Sequence, residues 1–213
     1  MFAKAYDLLM ADVDYEQIYE WLKPHFKNTD LIIDAGCGSG YLLLELLNHG
    51  HQAIGIDIDS SMLSIALDKL RENHVETNLY EHDLRNPMNA QADVIIAMFD
   101  VANYFKGIKK VFKNIHQALY DGGRFIFDIY KKEVLVDYQN YSEIEDEPIS
   151  YAWRIETSGH LMTHYVDFED EMDIVRQYVY DLDYYLDILK SLGFTYEVSD
   201  GIDSRKHYIV ATK

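Results

Sequence analysis

Two periods alternate along the chain. LIIDAG (31–36), QAIGIDI (52–58), ADVIIAMF (92–99) and RFIFDIY (124–130) are short, nearly unbroken apolar runs, the pattern of strands buried on both faces of a sheet. Between them lie YLLLELLNHG (41–50), SSMLSIALDKLREN (60–73) and a stretch carrying Ile108, Val111, Phe112, Ile115 and Leu119. There apolar residues recur every three or four positions, which predicts amphipathic helices. Gly50 stands where a glycine ends the first of these helices. Asp59 or Ser60 can cap the second through a side-chain oxygen, with Leu63, Ala66, Leu67 and Leu70 as its apolar stripe, and Gly122 and Gly123 end the third. TNLYEH (77–82) reads as a weaker strand. Strands alternating with helices over residues 30–130 predict a parallel sheet joined by right-handed crossovers.

The flanks have a different texture. Tyr6, Leu8, Leu9, Tyr15, Ile18, Tyr19, Trp21 and Leu22 suit two short amphipathic helices that stop before Pro24. After residue 130 come ISYAWRIET, HLMTHYVDFED and MDIVRQYVYDL, rich in β-branched and aromatic residues. They predict antiparallel strands of a small added sheet, and the acidic run EIEDE (143–147) reads as a solvated loop. YYLDILKSLGF is a helix ended by Gly193, and KHYIVAT a terminal strand.

Composition narrows the function. A chain of 213 residues can bury one α/β core with a modest elaboration. Its net charge of −18 disfavours a nucleic-acid partner, because such proteins neutralise phosphates with clustered Lys and Arg. A single cysteine, Cys37, permits no internal disulfide, and none of the nine histidines shows a metal-ligand spacing. No metal is expected. No segment reaches the roughly 18 apolar residues needed to span a bilayer, and no h-region stands at the N-terminus. The expectation is a cytoplasmic protein without a membrane partner.

The chemistry concentrates in DAGCGSG (34–40), between an apolar strand and a helix. Glycines there let a nucleotide-like ligand approach the backbone, and the helix N-terminus offers unpaired N–H groups. Gly36, Gly38 and Gly40 form G-x-G-x-G; the dinucleotide fingerprint would need a small residue where Tyr41 stands. Asp57, closing the second strand in GIDID, is placed to accept hydrogen bonds from both ribose hydroxyls of a nucleoside, or to cap the following helix. Asp57 alone does not separate S-adenosylmethionine from a dinucleotide.

DAGCGSG, GIDIDSSML, the aspartate of EHDL and ADVIIAMFDVANYF resemble, in order and spacing, the motifs of class I S-adenosylmethionine-dependent methyltransferases. The opening AKAYDLLMADVDYEQIYEWL is similar to that of bacterial members with a β-rich insertion after strand five. The resemblance implies a Rossmann-like α/β fold: a seven-stranded, mainly parallel sheet with helices on both faces, plus a small antiparallel β cap. Residues 1–130 and 181–213 would be the cofactor domain, with N-terminal helices at 1–29, and 131–180 the insertion. It implies S-adenosyl-L-methionine as cofactor, with Asp34, Gly36, Cys37 and Gly38 at its methionine end, Asp57 and Ile58 at its ribose, and Asp83 and Leu84 at its adenine. Phe99 and Asp100 would border cofactor and acceptor, with Tyr6 covering the acceptor pocket. MFDVANYF replaces the N/D-P-P-Y/F tetrad of amino-group nucleic-acid methylases.

The expected reaction is methyl transfer to an N or O of a small molecule, by a monomer or homodimer. Candidate bases are Asp100, Tyr104, Tyr6 and His164. Tyr151, Trp153, Arg154, Tyr165 and Tyr178 either point into the acceptor pocket or pack the added sheet, and Arg154 or Arg176 facing that pocket would favour a carboxylate-bearing acceptor. The competing readings are an RNA or protein methyltransferase, which predicts a basic strip at the cofactor mouth, a catalytically silent binding protein of the same fold, and a dehydrogenase.

Overall fold

The computed structural model describes residues 2–147, 149–168 and 171–213, and the two periods of the sequence appear in it as alternating elements. The chain begins with helices α1 (Phe2–Met10) and α2 (Tyr15–Leu22), then a 3-10 turn over Lys23–His25 in which Pro24 sits. The core follows as β1 (Leu31–Ala35), α3 (Tyr41–Asn48), β2 (Gln52–Asp57), α4 (Ser60–Glu72), β3 (Leu79–Glu81), β4 (Ala92–Ala97), α5 (Lys109–Ala118) and β5 (Leu119–Tyr130). The remainder is α6 (Val134–Asp137), β6 (Ser142–Glu145), β7 (Tyr151–Ser158), β8 (Leu161–Phe168), β9 (Glu171–Tyr178), α7 (Leu182–Ser191), β10 (Thr195–Ser199) and β11 (Lys206–Thr212).

Seven strands form one sheet in the order β10-β11-β5-β4-β1-β2-β3. The pairs among β1 to β5 are parallel, while β11 runs antiparallel to both β5 and β10. Side chains alternate across a strand, so Ile33, Ile95, Phe125 and Phe127 pack with α5 and α7 on one face. Ile32, Val94, Ile96 and Ile126 pack with α2, α3 and Leu70 of α4 on the other. Two buried faces require the unbroken apolar runs seen in the sequence. From β1 the strand order proceeds to β2 and β3 on one side and to β4 and β5 on the other, and the crevice at such a switch point is where α/β sheets bind ligands.

The second sheet is antiparallel, in the order β6-β7-β8-β9. Ala5 of α1 packs against its Val166 and Phe168, so α1 bridges to it.

Three local expectations need correction. EIEDE is not wholly loop: Ser142–Glu145 is the edge strand β6, and charge on an edge strand protects an unpaired rim from further pairing. Helix α5 stops at Ala118, because Gly122 and Gly123 pair with Lys213 inside a strand that begins at Leu119. The buried stripe of α4 is Met62, Ala66 and Leu70, with Leu67 exposed. Strand β10 falls in a segment that carried no strand expectation. Glu169 and Asp170, at the end of HLMTHYVDFED, lie outside the described residues.

Candidate active site

The turn between β1 and α3 is built by glycines at left-handed backbone angles, φ +82° at Gly36 and +54° at Gly38. A Cβ at Gly36 would also lie 2.7 Å from Val101 Cγ2, so neither conformation nor space admits a side chain there. Gly36 and Cys37 donate their N–H groups to Ile56 O, pinning the turn to the end of β2. Helix α3 then starts at Gly40 without a side-chain cap, leaving first-turn N–H groups for a ligand.

Four aspartates line the cavity over this turn. Asp34 is only 3% exposed, and its Oδ2 has no hydrogen-bond partner. Burial, with Asp57 adding to it, pushes its carboxyl up to about 7. Asp57 Oδ2 accepts from Gly38 N–H at 2.8 Å and Oδ1 from Asp59 N–H at 2.9 Å. Asp59, not Asp57, caps α4, through Ser61 N–H at 2.8 Å. Asp83 accepts from the backbone and guanidinium of Arg85, each at 2.9 Å, and that pairing lowers its pKa. All of the residues assigned to the cofactor (Asp34, Gly36, Cys37, Gly38, Asp57, Ile58, Asp83, Leu84 and Phe99) line a single cavity of about 390 Å³. Burial raises the Cys37 thiol pKa, which suits a small lining residue rather than a nucleophile.

A second cavity, of about 540 Å³, adjoins the first; Tyr6, Met10, Phe99 and Tyr104 line both. Its walls come from α1, the ends of β4 and β5, the second sheet and the start of β11. The chain leaves β4 through two consecutive left-handed residues, Phe99 at φ 62° and Asp100 at φ 55°, a strain of about 1–3 kcal/mol each that functional sites commonly store. The Asp100 N–H is held by Asp128 Oδ1. Lys206 Nζ donates to Asp100 Oδ1 at 2.6 Å and to Asp128 Oδ2 at 3.1 Å, all three side chains being buried. Burial opposes charge on Lys206, but the two aspartates outweigh it and hold its pKa above the ordinary lysine value. Burial raises the Asp128 pKa against the pull of Lys206.

Gln177 Nε2 donates to Asp100 Oδ2. His164 Nε2 bonds Gln177 Oε1 at 2.9 Å, and Trp153 Nε1–H donates to His164 Nδ1 at 3.1 Å. The indole N–H therefore occupies the ring's unprotonated nitrogen and sets the tautomer with hydrogen on Nε2. Burial lowers the His164 pKa, in keeping with a neutral ring.

Among the other candidates, burial, followed by Asp100, raises the Tyr6 and Tyr104 pKa values, so both stand as hydroxyls rather than ready phenolates. Asn103 ties the loop after β4 to the second sheet, donating to Tyr178 O at 2.9 Å and accepting from Tyr130 N–H at 3.0 Å. His82 lines the first cavity and bonds Asn86 O. Tyr151 and Trp153 face the second cavity; Arg154 and Tyr165 do not, because strand alternation puts them on the opposite face, where Arg154 covers the Tyr165 ring. Arg176 is exposed, and Tyr178 does not line the cavity. Neither of the two arginines whose facing the pocket would have favoured a carboxylate-bearing acceptor lines this cavity. Glu16, Glu45 and His49 are grouped at ligand-like spacing among the described residues, outside both cavities.

Sequence reasoning missed Lys206, Asp128 and Gln177. Each stands in a strand whose apolar pattern drew attention to its neighbours, and the signal available was a charged or amide residue at an inward strand position.

The comparisons agree with this geometry. A methyltransferase domain model matches residues 32–123. The chain is 28% identical to YqeM of Bacillus subtilis (strain 168), a protein classed as a methyltransferase, over 91% of this chain and 85% of that one. An S-adenosylmethionine-dependent methyltransferase from Clostridium acetobutylicum ATCC 824 superposes with a TM-score of 0.81 at 24% identity, covering 99% and 97% of the two chains. The sugar N-methyltransferase KedS8 from Streptoalloteichus sp ATCC 53650 gives 0.81 at 17% identity over 98% and 92%. No helix among the described residues is long and apolar enough to cross a membrane. With its glycine turn and strand order, the chain carries a methyltransferase domain over residues 32–123 and has, over nearly its whole length, the fold of an S-adenosylmethionine-dependent methyltransferase.

Proposed function

We propose that the protein transfers a methyl group from S-adenosylmethionine to an N or O of a small-molecule acceptor. The observation that carries this reading is the pair of adjoining cavities, one over the glycine turn and one enclosed by the second sheet, with Tyr6, Met10, Phe99 and Tyr104 as a common wall. Each has the size of a small-molecule site.

The residues of the first cavity fit the cofactor. The partnerless, buried Oδ2 of Asp34 is a ready acceptor for the methionine ammonium. The Asp57 carboxylate, fixed by two backbone N–H groups, retains lone pairs for the ribose hydroxyls. Asp83, held ionised by Arg85, is placed for the adenine amine, with Leu84 beside the ring. When bound, S-adenosylmethionine supplies a methyl on a sulfonium whose sulfur keeps the bonding pair as the acceptor's lone pair takes the carbon. The protein's share is then orientation and exclusion of water, and α1 with the second sheet provides the enclosure. Acceptor-side roles fall to Asp100, whose carboxylate lines the second cavity beside the shared wall, with Tyr6 and Tyr104 as hydroxyl partners; His164 acts by orienting Gln177 rather than as a base.

The methylation of RNA or protein predicted a basic strip at the mouth. Among the described residues lining the two cavities, Arg85, Arg205 and Lys206 are the Lys and Arg side chains, and each is paired with aspartate, which supports the small-molecule reading. The test is calorimetric titration of wild type and Asp57→Ala with S-adenosylmethionine, S-adenosylhomocysteine and NAD. We expect micromolar binding of the two adenosyl ligands, none of NAD, and loss of at least about tenfold in the variant. A folded wild type that binds neither adenosyl ligand sinks the proposal, and NAD binding in their place makes the protein a dehydrogenase.

A further inference from the structure

Resting on the reading above, we infer that the second cavity is an organic-ammonium site, so that the acceptor is a primary or secondary amine methylated on nitrogen. Charge bookkeeping of the cavity wall leads there. Asp203 is paired with Arg205 at 2.7 Å. Asp100 and Asp128, both buried, share the single ammonium of Lys206, and His164 is neutral. Two carboxylates against one ammonium leave one negative charge without a counter-charge among the described residues of the wall, a costly arrangement that burial penalises and a cationic ligand relieves.

The rest of the wall is chosen for the same occupant. Tyr104, Tyr130, Tyr151, Trp153 and Phe168 surround the space, and aromatic faces attract cations within about 6 Å. Lys206 already exploits this, lying 5.0 Å from the Tyr130 ring centroid. For a carboxylate-bearing acceptor the cavity offers no unpaired cation among its described residues, since Arg205 and Lys206 are both engaged and Arg154 and Arg176 lie elsewhere. The shared wall at Phe99 and Tyr104 places the ammonium next to the first cavity.

The surplus carboxylate also completes the proton balance. An ammonium must lose one proton before its nitrogen has a lone pair, and the Asp100–Asp128 pair can take it, becoming one carboxylic acid and one carboxylate facing Lys206, with net charge zero. Trp153, His164 and Gln177 are positioning residues in this account: each donates to the next, and the last N–H falls on Asp100 Oδ2.

The experiment is isothermal titration at pH 7 of the full-length protein saturated with S-adenosylhomocysteine, using benzylamine, benzyl alcohol and benzoate as probes of one shape and three charges. We expect benzylamine to bind at least about tenfold more tightly than benzyl alcohol, the scale of a hydrogen bond to a charged group, and benzoate not to bind. Asp100→Asn keeps a residue that tolerates the left-handed backbone. It is expected to retain S-adenosylhomocysteine affinity while benzylamine falls to the level of the alcohol. Benzyl alcohol or benzoate binding as tightly as benzylamine, or no benzylamine binding, overturns the inference while leaving the proposed function standing; this ranking is read in the wild type and needs no variant. Failure of S-adenosylhomocysteine itself to bind removes both.

Discussion

At the scale of single residues, Asp34 does what an isolated carboxylate in a protein interior rarely does: it waits unpaired. Its Oδ2 has no donor and its carboxyl is raised from 3.8 to about 7. Between those values the folded protein holds a proton that the unfolded chain has released, so this group's contribution makes stability fall as pH rises, by up to about 1.4 kcal/mol per unit. A ligand ammonium prefers the ionised form, so S-adenosylhomocysteine affinity should climb about tenfold per unit from about pH 5 to pH 7 and then level off. Calorimetry across that range checks both signs, with Asp34→Asn as the reference in which both slopes flatten; an unchanged slope in the variant would assign the proton elsewhere. Much of this site was legible as text. The glycines and Asp57 announce themselves because a close backbone approach and a strand-end acid have few other uses in that order.

At the scale of elements, β11 matters beyond its place in the sheet. It enters with Lys206, paired to Tyr130 of β5 in the ladder, and sends the ammonium under the loop that follows β4. Lys206→Met leaves two buried carboxylates without a counter-charge and is expected to cost about 3–5 kcal/mol by chemical denaturation. Adding Asp128→Asn should restore part of that loss, and a double variant no more stable than the single one would show that the lysine acts through packing alone. The second sheet obeys the same logic of facing: residues two apart on β7, Tyr151 and Trp153, reach the cavity, while Arg154 turns away. Alternation was readable in the sequence, but its phase was not, because both sets of positions carry aromatic or polar residues and only the docking of β8 and α1 decides which side is inside.

At the scale of the whole molecule, a net charge of −18 is carried by a fold whose two cavities are themselves lined by aspartates. Self-repulsion of that size opposes compaction. Raising NaCl from about 0.01 M to about 0.15 M shortens the Debye length from about 30 Å to about 8 Å, so the thermal midpoint of the ligand-free protein should rise over this range. A fall would mean that its internal ion pairs contribute more than the repulsion they sit in.

The sequence by itself determined the parallel core and the glycine turn, since these rest on local features: apolar period, closely spaced glycines and an acid at a strand end, all within about 100 residues. The second cavity belongs to the tertiary structure. Asp100 and Lys206 are 106 positions apart and Asp100 and Gln177 are 77 apart, in segments whose individual patterns say only strand or loop. Their meeting depends on how β11 inserts beside β5 and how the second sheet docks, and neither is encoded in any one stretch of chain.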